Sequence, residues 1–219
     1  MFQGQVVKFG TAAFASYRLL IISAVWGFAV VTGFALVTRY EVKPGSMEIV
    51  PAQWPKNLPI PFDGNRQNLL LFAHPQCVCT RATFTELEQI LETHPGQVQV
   101  TVLMWAPSDL SESWAHSSLW DRAASLPGVQ VITDRDGKMA QTFGAETSGH
   151  ALLYDRKGRL LFSGGITGAR GHIGTNSGET AVAAFIETGH APRMCSPVYG
   201  CPLGQATTIN VPSNPFRKL

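Results

Sequence analysis

Hydrophobic and polar positions divide the chain into two regions of unlike pattern. Between Arg18 and Arg39 no charged residue appears, so Leu19 to Thr38 is a run of twenty uncharged positions rich in Leu, Ile, Val, Phe and Ala. As a helix such a run spans about 30 Å, the thickness of a bilayer's hydrocarbon core. A cleaved leader has an apolar core of only about 7–15 residues, followed by a small-x-small cleavage site. No clear site of that kind follows here, so the pattern predicts an uncleaved anchor over 18–39, preceded by a short patternless segment, 1–17. Pro44, Pro51, Pro55, Pro59 and Pro61 crowd the next stretch. Proline fixes φ and removes an amide donor, so 40–64 is expected as an extended tether rather than a packed element.

From about Asn68 strand and helix signals alternate. Leu69–Ala73 is continuously apolar and reads as a buried strand. Thr80–Thr93 carries Ala82, Leu87, Ile90 and Leu91 near one helical face. Gln97–Trp105 alternates as a second strand, with Val98, Val100, Val102 and Met104 on one side. Glu112–Leu126 reads as one helix stopped by Pro127-Gly128, Val129–Thr133 as a third strand, and Gly137–Phe143 as a short helix. Ala151–Tyr154 and Leu160–Ser163 form a hairpin across Asp155–Gly158, and Thr180–Thr188 a last helix. From Gln205 the tail turns polar and proline-rich and is expected to be loosely held. The order predicts an α/β domain over 65–190, with a central mixed sheet, a parallel core, an antiparallel edge hairpin and helices on both faces. Residues 191–219 follow as a cysteine-containing tail.

Charge changes this picture little. The formal net charge is +2, and no run of Lys or Arg offers a phosphate-binding surface, so nucleic acid is excluded as an expected partner. Lys8 and Arg18 before the apolar run nearly balance Arg39 and Lys43 after it, with a slight tilt that keeps the amino terminus inside. The four cysteines fall into two close pairs, Cys77/Cys79 and Cys195/Cys201. Paired cysteines suit an oxidising compartment. Both signals put the soluble part outside the cytoplasm.

The Cys-Val-Cys segment carries the candidate chemistry. It lies where the first strand ends and the first long helix begins. A helix N-terminus favours thiolate over thiol, and thiolate is the form that attacks disulfides or binds soft metals. Cys77, expected to be the more exposed, is assigned as attacking thiol and Cys79, deeper in the first turn, as resolving thiol. The reverse order stays open. A disulfide across one intervening residue is strained and easily reduced, which suits an oxidant, an isomerase or a transient intermediate. Cys195 and Cys201, in a loop with Pro197, Gly200 and Pro202, form either a structural disulfide or a relay dithiol.

The strand-helix order, with the cysteine pair between first strand and first long helix, resembles the thioredoxin-like superfamily over roughly residues 65–190. It looks most like the membrane-anchored bacterial TlpA- and RedB-like branch. Asp134-Arg135-Asp136-Gly137 followed by Phe143-Gly144 resembles the segment before that fold's closing hairpin. Leu152-Leu153-Tyr154-Asp155 with Gly158 resembles the hairpin itself. The resemblance implies a single-pass protein of the bacterial inner membrane, with its domain in the periplasm. It would exchange disulfides with other thiol or disulfide proteins and need no cofactor. Two positions depart from the family pattern. The usual pair is Cys-x-x-Cys, and a cis-proline normally precedes the hairpin strand, where this chain reads Thr147-Ser148-Gly149-His150. The threonine three residues before a peroxidatic cysteine is also missing: Gln76 stands there for Cys79 and His74 for Cys77.

His74, Gly149 and His150 are thus candidates to line the site. With Cys77 and Cys79, the two histidines compose a soft sulfur-nitrogen set suited to copper, somewhat like the Sco copper-chaperone branch of the same fold. A copper(I) carrier is accordingly the alternative to an exchange protein, and a redox-inactive scaffold is the third reading. Gly164 to Gly178 contains six glycines with Arg170 and His172 among them. It lacks a Gly-Lys-Ser/Thr ending and is expected as a mobile loop near the active face rather than a phosphate cradle. Trp105, Trp114 and Trp120 are expected in the core.

Overall fold

The structure is a computed structural model that describes residues 10–204. The start of the N-terminal segment and the tail from Gln205 lie outside that range. The chain divides at Val42/Lys43 into two compact units. The first is a single helix, α1 (Gly10–Glu41), longer than the expected 18–39. Its stretch Ser16–Glu41 has a mean hydropathy of 2.3 and none of it is buried. Those residues extend over about 39 Å, enough by length and composition to cross a membrane.

The second unit is built on β1 (Gln67–Ala73), β2 (Val98–Ala106), β3 (Val129–Arg135), β4 (His150–Tyr154) and β5 (Leu160–Gly165). The sheet order is β3-β2-β1-β4-β5. β1 runs parallel to β2, and β2 to β3; β4 is antiparallel to both β1 and β5. The parallel joins are two strand-helix-strand crossovers, and the antiparallel edge is the expected hairpin. Asp155 sets its turn, accepting from the amides of Lys157 and Arg159 at 2.8 Å each.

Alternation decides which face each strand residue covers. Leu69, Leu71, Val100, Val102, Ala151 and Leu153 face one way. They pack on α2 (Val78–Thr93), α4 (Ser118–Ser125) and α6 (Ser177–Thr188) through Phe84, Leu87, Ile90, Leu119, Val182 and Phe185. The expected helix 112–126 is interrupted: α3 (Glu112–Ala115) ends, and α4 begins afresh. Ser117 makes the break. Its hydroxyl caps α4 by accepting from the amide of Leu119 at 3.2 Å, and it donates to the carbonyl of Pro75 at 2.7 Å.

Leu70, Phe72, Leu103, Leu152 and Tyr154 face the other way. Among the described residues only the five-residue α5 (Lys138–Thr142) covers them as a helix. The proline-rich segment completes the cover, which corrects the expectation that it is unpacked. Ile60 is buried, and Val50, Trp54 and Leu58 pack against the same cluster. Trp54 lies 5.3 Å from Tyr154 and 5.5 Å from Phe143 by ring centroids, and Tyr154 donates its hydroxyl to Pro51 O at 2.9 Å. Proline removes hydrogen-bond donors but not apolar surface, so an extended proline-rich strip can still close a core.

Candidate functional site

β1 ends at Ala73, and the chain turns through His74-Pro75-Gln76 into α2. Cys77 is the N-cap residue of α2, with extended backbone (φ −83°, ψ 113°). Its amide donates to His74 O at 3.1 Å, and its carbonyl accepts from Thr80 N at 3.0 Å, closing the first turn. Cys79 lies within that turn. The helix mouth predicted for Cys-Val-Cys is therefore present, with Cys77 one position outside the helix and Cys79 inside.

The expectation that Cys77 is the more exposed of the two is not met. Cys77 is 1% exposed and Cys79 9%, while Val78 between them is 79% exposed. The cover over Cys77 comes from the tail. Residues 195–203 fold back along the ends of β4 and β5, and Cys201 is placed against Cys77. The Cys77 sulfur accepts from the Cys201 thiol, from the Cys79 thiol, from the Cys201 amide and from the Thr80 hydroxyl. These donors hold Cys77 far below the ordinary thiol range, against the opposing effect of burial. Cys79 and Cys201 move the other way, because each donates to Cys77 and each is at least partly shielded from solvent. The hydrogen bonds of the cluster thus favour negative charge on Cys77, with Cys79 and Cys201 as neutral donors.

Arg170 is the cation of this site. It reaches in from the glycine-rich loop, hydrogen-bonds the Cys79 sulfur, and favours ionisation at Cys79 and Cys201. Its guanidinium also donates to Gly200 O beside Cys201, and to Lys43 O at 3.4 Å.

The strap that carries Cys201 is fixed by backbone pairing to the segment before β4. Ser148 N donates to Cys201 O at 2.8 Å, Leu203 N donates to Glu146 O at 2.7 Å, and Thr147 bridges Pro202. Gly200 lies so close to the Ser148 carbonyl that any Cβ would overlap it. Ser148 in turn reaches the cysteine turn: its hydroxyl accepts from His74 N at 2.9 Å and lies 2.9 Å from Thr80 Oγ1. Gly149 follows with φ +90°, a conformation a side chain resists, and its amide donates to Phe72 O at 2.7 Å. Where a cis-proline was the family expectation, the chain uses a serine-glycine pair, and no cis peptide occurs among the described residues.

The remaining candidates separate. His74 is buried and stacks on Trp105 with ring centroids 5.2 Å apart. Its Nδ1 accepts from Gln76 N at 3.1 Å, and burial lowers its pKa. His150 is fully buried, with Nε2 2.9 Å from Ser163 Oγ, and burial lowers its pKa to about 4. Each ring has a partner on one nitrogen only: His74 Nε2 and His150 Nδ1 are buried without a hydrogen-bond partner. Among the described residues no group of three or more His, Cys, Asp or Glu side chains has the arrangement of a metal site. Cys195 is exposed, and its backbone bridges Ser163. Trp105 is core, Trp114 meets it edge-on at 5.5 Å, and the half-buried Trp120 stacks on His116 at 4.2 Å.

Comparison with solved structures agrees with this topology. A hypothetical protein of Sinorhizobium meliloti superposes with a TM-score of 0.52 and 17% identity, over 76% of this chain and 96% of that one. An uncharacterized conserved protein of Geobacillus kaustophilus gives 0.52 and 13%, over 76% and 94%. The sheet order and strand directions are those of the thioredoxin-like fold. A secreted disulfide oxidoreductase of Mycobacterium tuberculosis matches at a TM-score of 0.42 and 14% identity, over 57% of this chain and 82% of that one. No protein-family model and no curated protein matches the sequence.

Sequence reasoning missed Arg170, Thr80, Ser148 and the partnership of Cys201 with Cys77. Arg170 had one usable signal, as the only Lys or Arg in the loop running from Gly164 to Gly178.

Proposed function

We propose that this chain is a thiol–disulfide exchange protein held to a membrane by α1, with its thioredoxin-like domain outside the cytoplasm. One observation carries the reading: Cys77 stands at a helix N-cap with two neighbouring thiols against its sulfur, and their hydrogen bonds lower its pKa. The thiolate is the attacking species in exchange, and a second thiol in contact is what completes it.

The Cys77 sulfur attacks one sulfur of a partner's disulfide. The new bond joins Cys77 to the partner, the partner's S–S bond breaks, and the departing sulfur leaves as thiolate and takes a proton. A second thiol of the cluster, deprotonated, then attacks the Cys77 sulfur and releases the partner's other half. The partner gains two electrons and the protein loses them. The reverse sequence oxidises a dithiol partner. Partners are thus other thiol or disulfide proteins, and the chemistry needs no cofactor.

The anchor reading is supported by the length and apolar surface of α1, and the placement outside the cytoplasm by the use of close cysteine neighbours. The test is exchange with glutathione disulfide, followed by the appearance of free glutathione. The reduced wild-type chain is expected to react and the Cys77→Ser chain to lose the reaction. Equal rates would reject Cys77 as the attacking group. Failure of the wild-type chain to react with any disulfide would leave a redox-inactive scaffold.

A further inference from the structure

Cys77 has two thiols within hydrogen-bonding reach, and they differ in what a covalent bond would demand. Cys79 is carried on the first turn of α2. Only one residue separates it from Cys77, so the backbone between the two sulfurs has little freedom to adjust. A disulfide needs a sulfur separation of about 2.05 Å with a dihedral near a right angle. Drawing Cys79 to Cys77 would twist the turn that the Thr80 N–H to Cys77 O bond, 3.0 Å, closes. Arg170 also hydrogen-bonds the Cys79 sulfur.

Cys201 arrives on a separate segment with no helix to distort. Its amide and its thiol both point at the Cys77 sulfur. Ser148 ties the two segments together, bonding Cys201 O through its amide and His74 N through its hydroxyl. The approach is therefore fixed from both ends without the strain of a one-residue spacer.

Resting on the exchange reading, we infer that Cys201, not Cys79, is the resolving thiol, and that the oxidised protein carries a Cys77–Cys201 disulfide that latches the tail strap over the helix mouth. In the resolving step the Cys201 sulfur, its proton passed to solvent, bonds to the Cys77 sulfur. The bond from Cys77 to the partner breaks, and the partner leaves as thiolate. With the first step, one partner disulfide becomes two thiols, and the protein's thiolate-thiol pair becomes one disulfide. Cys79 remains a donor that stabilises the Cys77 thiolate, and Arg170 is a positioning residue for both Cys79 and the strap.

The experiment uses the full reduced chain in detergent, in a Cys195→Ser background that removes the exposed thiol. One equivalent of an aromatic disulfide that liberates a coloured thiolate is added. The parent chain is expected to release two thiolates per reagent, the Cys201→Ser chain one, with the other half retained on Cys77 by mass. The Cys79→Ser chain is expected still to release two. Two thiolates from the Cys201→Ser chain, or one from the Cys79→Ser chain, overturn the assignment. A Cys77→Ser chain that consumes the reagent as fast as its parent overturns the exchange reading itself. Peptide mapping of the oxidised wild-type chain guards against a variant that does not fold: a Cys77–Cys201 cross-link is expected, and a Cys77–Cys79 disulfide in its place rejects the proposal.

Discussion

Thr80 Oγ1 lies 2.9 Å from Ser148 Oγ, joining the first turn of α2 to the segment that precedes β4. Both residues are buried, and the Ser148 hydroxyl also satisfies the amide of His74. Removing it strands a buried donor, which costs about 1–3 kcal/mol. Ser148→Ala should lower the urea-unfolding free energy of the domain beginning at Lys43 by that amount. Ser148→Thr, which keeps the hydroxyl, should recover part of it.

Ionisation of Cys77 is open to direct measurement. With thiol and amide donors holding its pKa down, its alkylation by iodoacetamide should level off well below the ordinary thiol value of about 8.5. Because the folded value is depressed, the unfolded chain binds the extra proton in the window between the two values. The stabilisation is complete above about pH 8.5 and is lost as pH falls through the folded value. Cys77→Ser should flatten that part of the stability profile. A wild-type alkylation profile centred near 8.5 would contradict the thiolate.

His150 supplies a second pH dependence at a different place. Burial lowers its pKa from 6.5 to about 4, so the folded chain keeps it neutral while the unfolded chain protonates. Its contribution is intact above pH 6.5 and is lost as pH falls toward 4, amounting to about 2 kcal/mol between pH 7 and 5. His150→Gln should lose that dependence in urea titrations at the two pH values, whatever it does to stability at neutrality.

Arg170 should act on two cysteines at once. Arg170→Gln removes the charge beside Cys79 and the donor to Gly200 O. Alkylation of Cys201 should accelerate as the strap loosens, while that of Cys79 should slow. Unchanged rates at both would remove Arg170 from the site.

The anchor predicts partitioning. The full chain should stay with membranes after an alkaline wash, and a chain beginning at Lys43 should not. Release of the full chain by that wash would reassign α1.

What the sequence made legible follows from how local the determinants are. Leu69–Ala73 shows its burial by continuous apolarity, and the hairpin shows itself by Asp155 and Gly158 between two apolar runs. The Cys-Val-Cys segment is placed at a helix mouth by its immediate neighbours alone. Glu112–Leu126 misled because its apolar spacing continues through Ser117, whose capping hydroxyl has no hydrophobic signature. The proline-rich strip misled because proline content reports backbone limits, while Ile60 and Trp54 are recruited by a sheet face that one short helix leaves bare. Cys201 was paired with Cys195 because the two are near in sequence. Its contact with Cys77 depends on the tail crossing the ends of β4 and β5, which no local pattern encodes.

The donors around Cys77 favour its thiolate, yet the residue is only 1% exposed. At most surface thiols charge and access rise together; here they are governed by separate events. Charge depends on the donors around the sulfur, access on how often the strap lifts. A measured rate constant for a bulky partner is then the product of an opening equilibrium and a chemical step. Lifting the strap also withdraws the Cys201 donors, so the sulfur becomes more basic and more nucleophilic at the moment it is uncovered. A small reagent that slips beneath the strap meets the resting thiolate, and a protein partner meets a different one. The two classes of reagent should therefore rank variants of the strap in different orders.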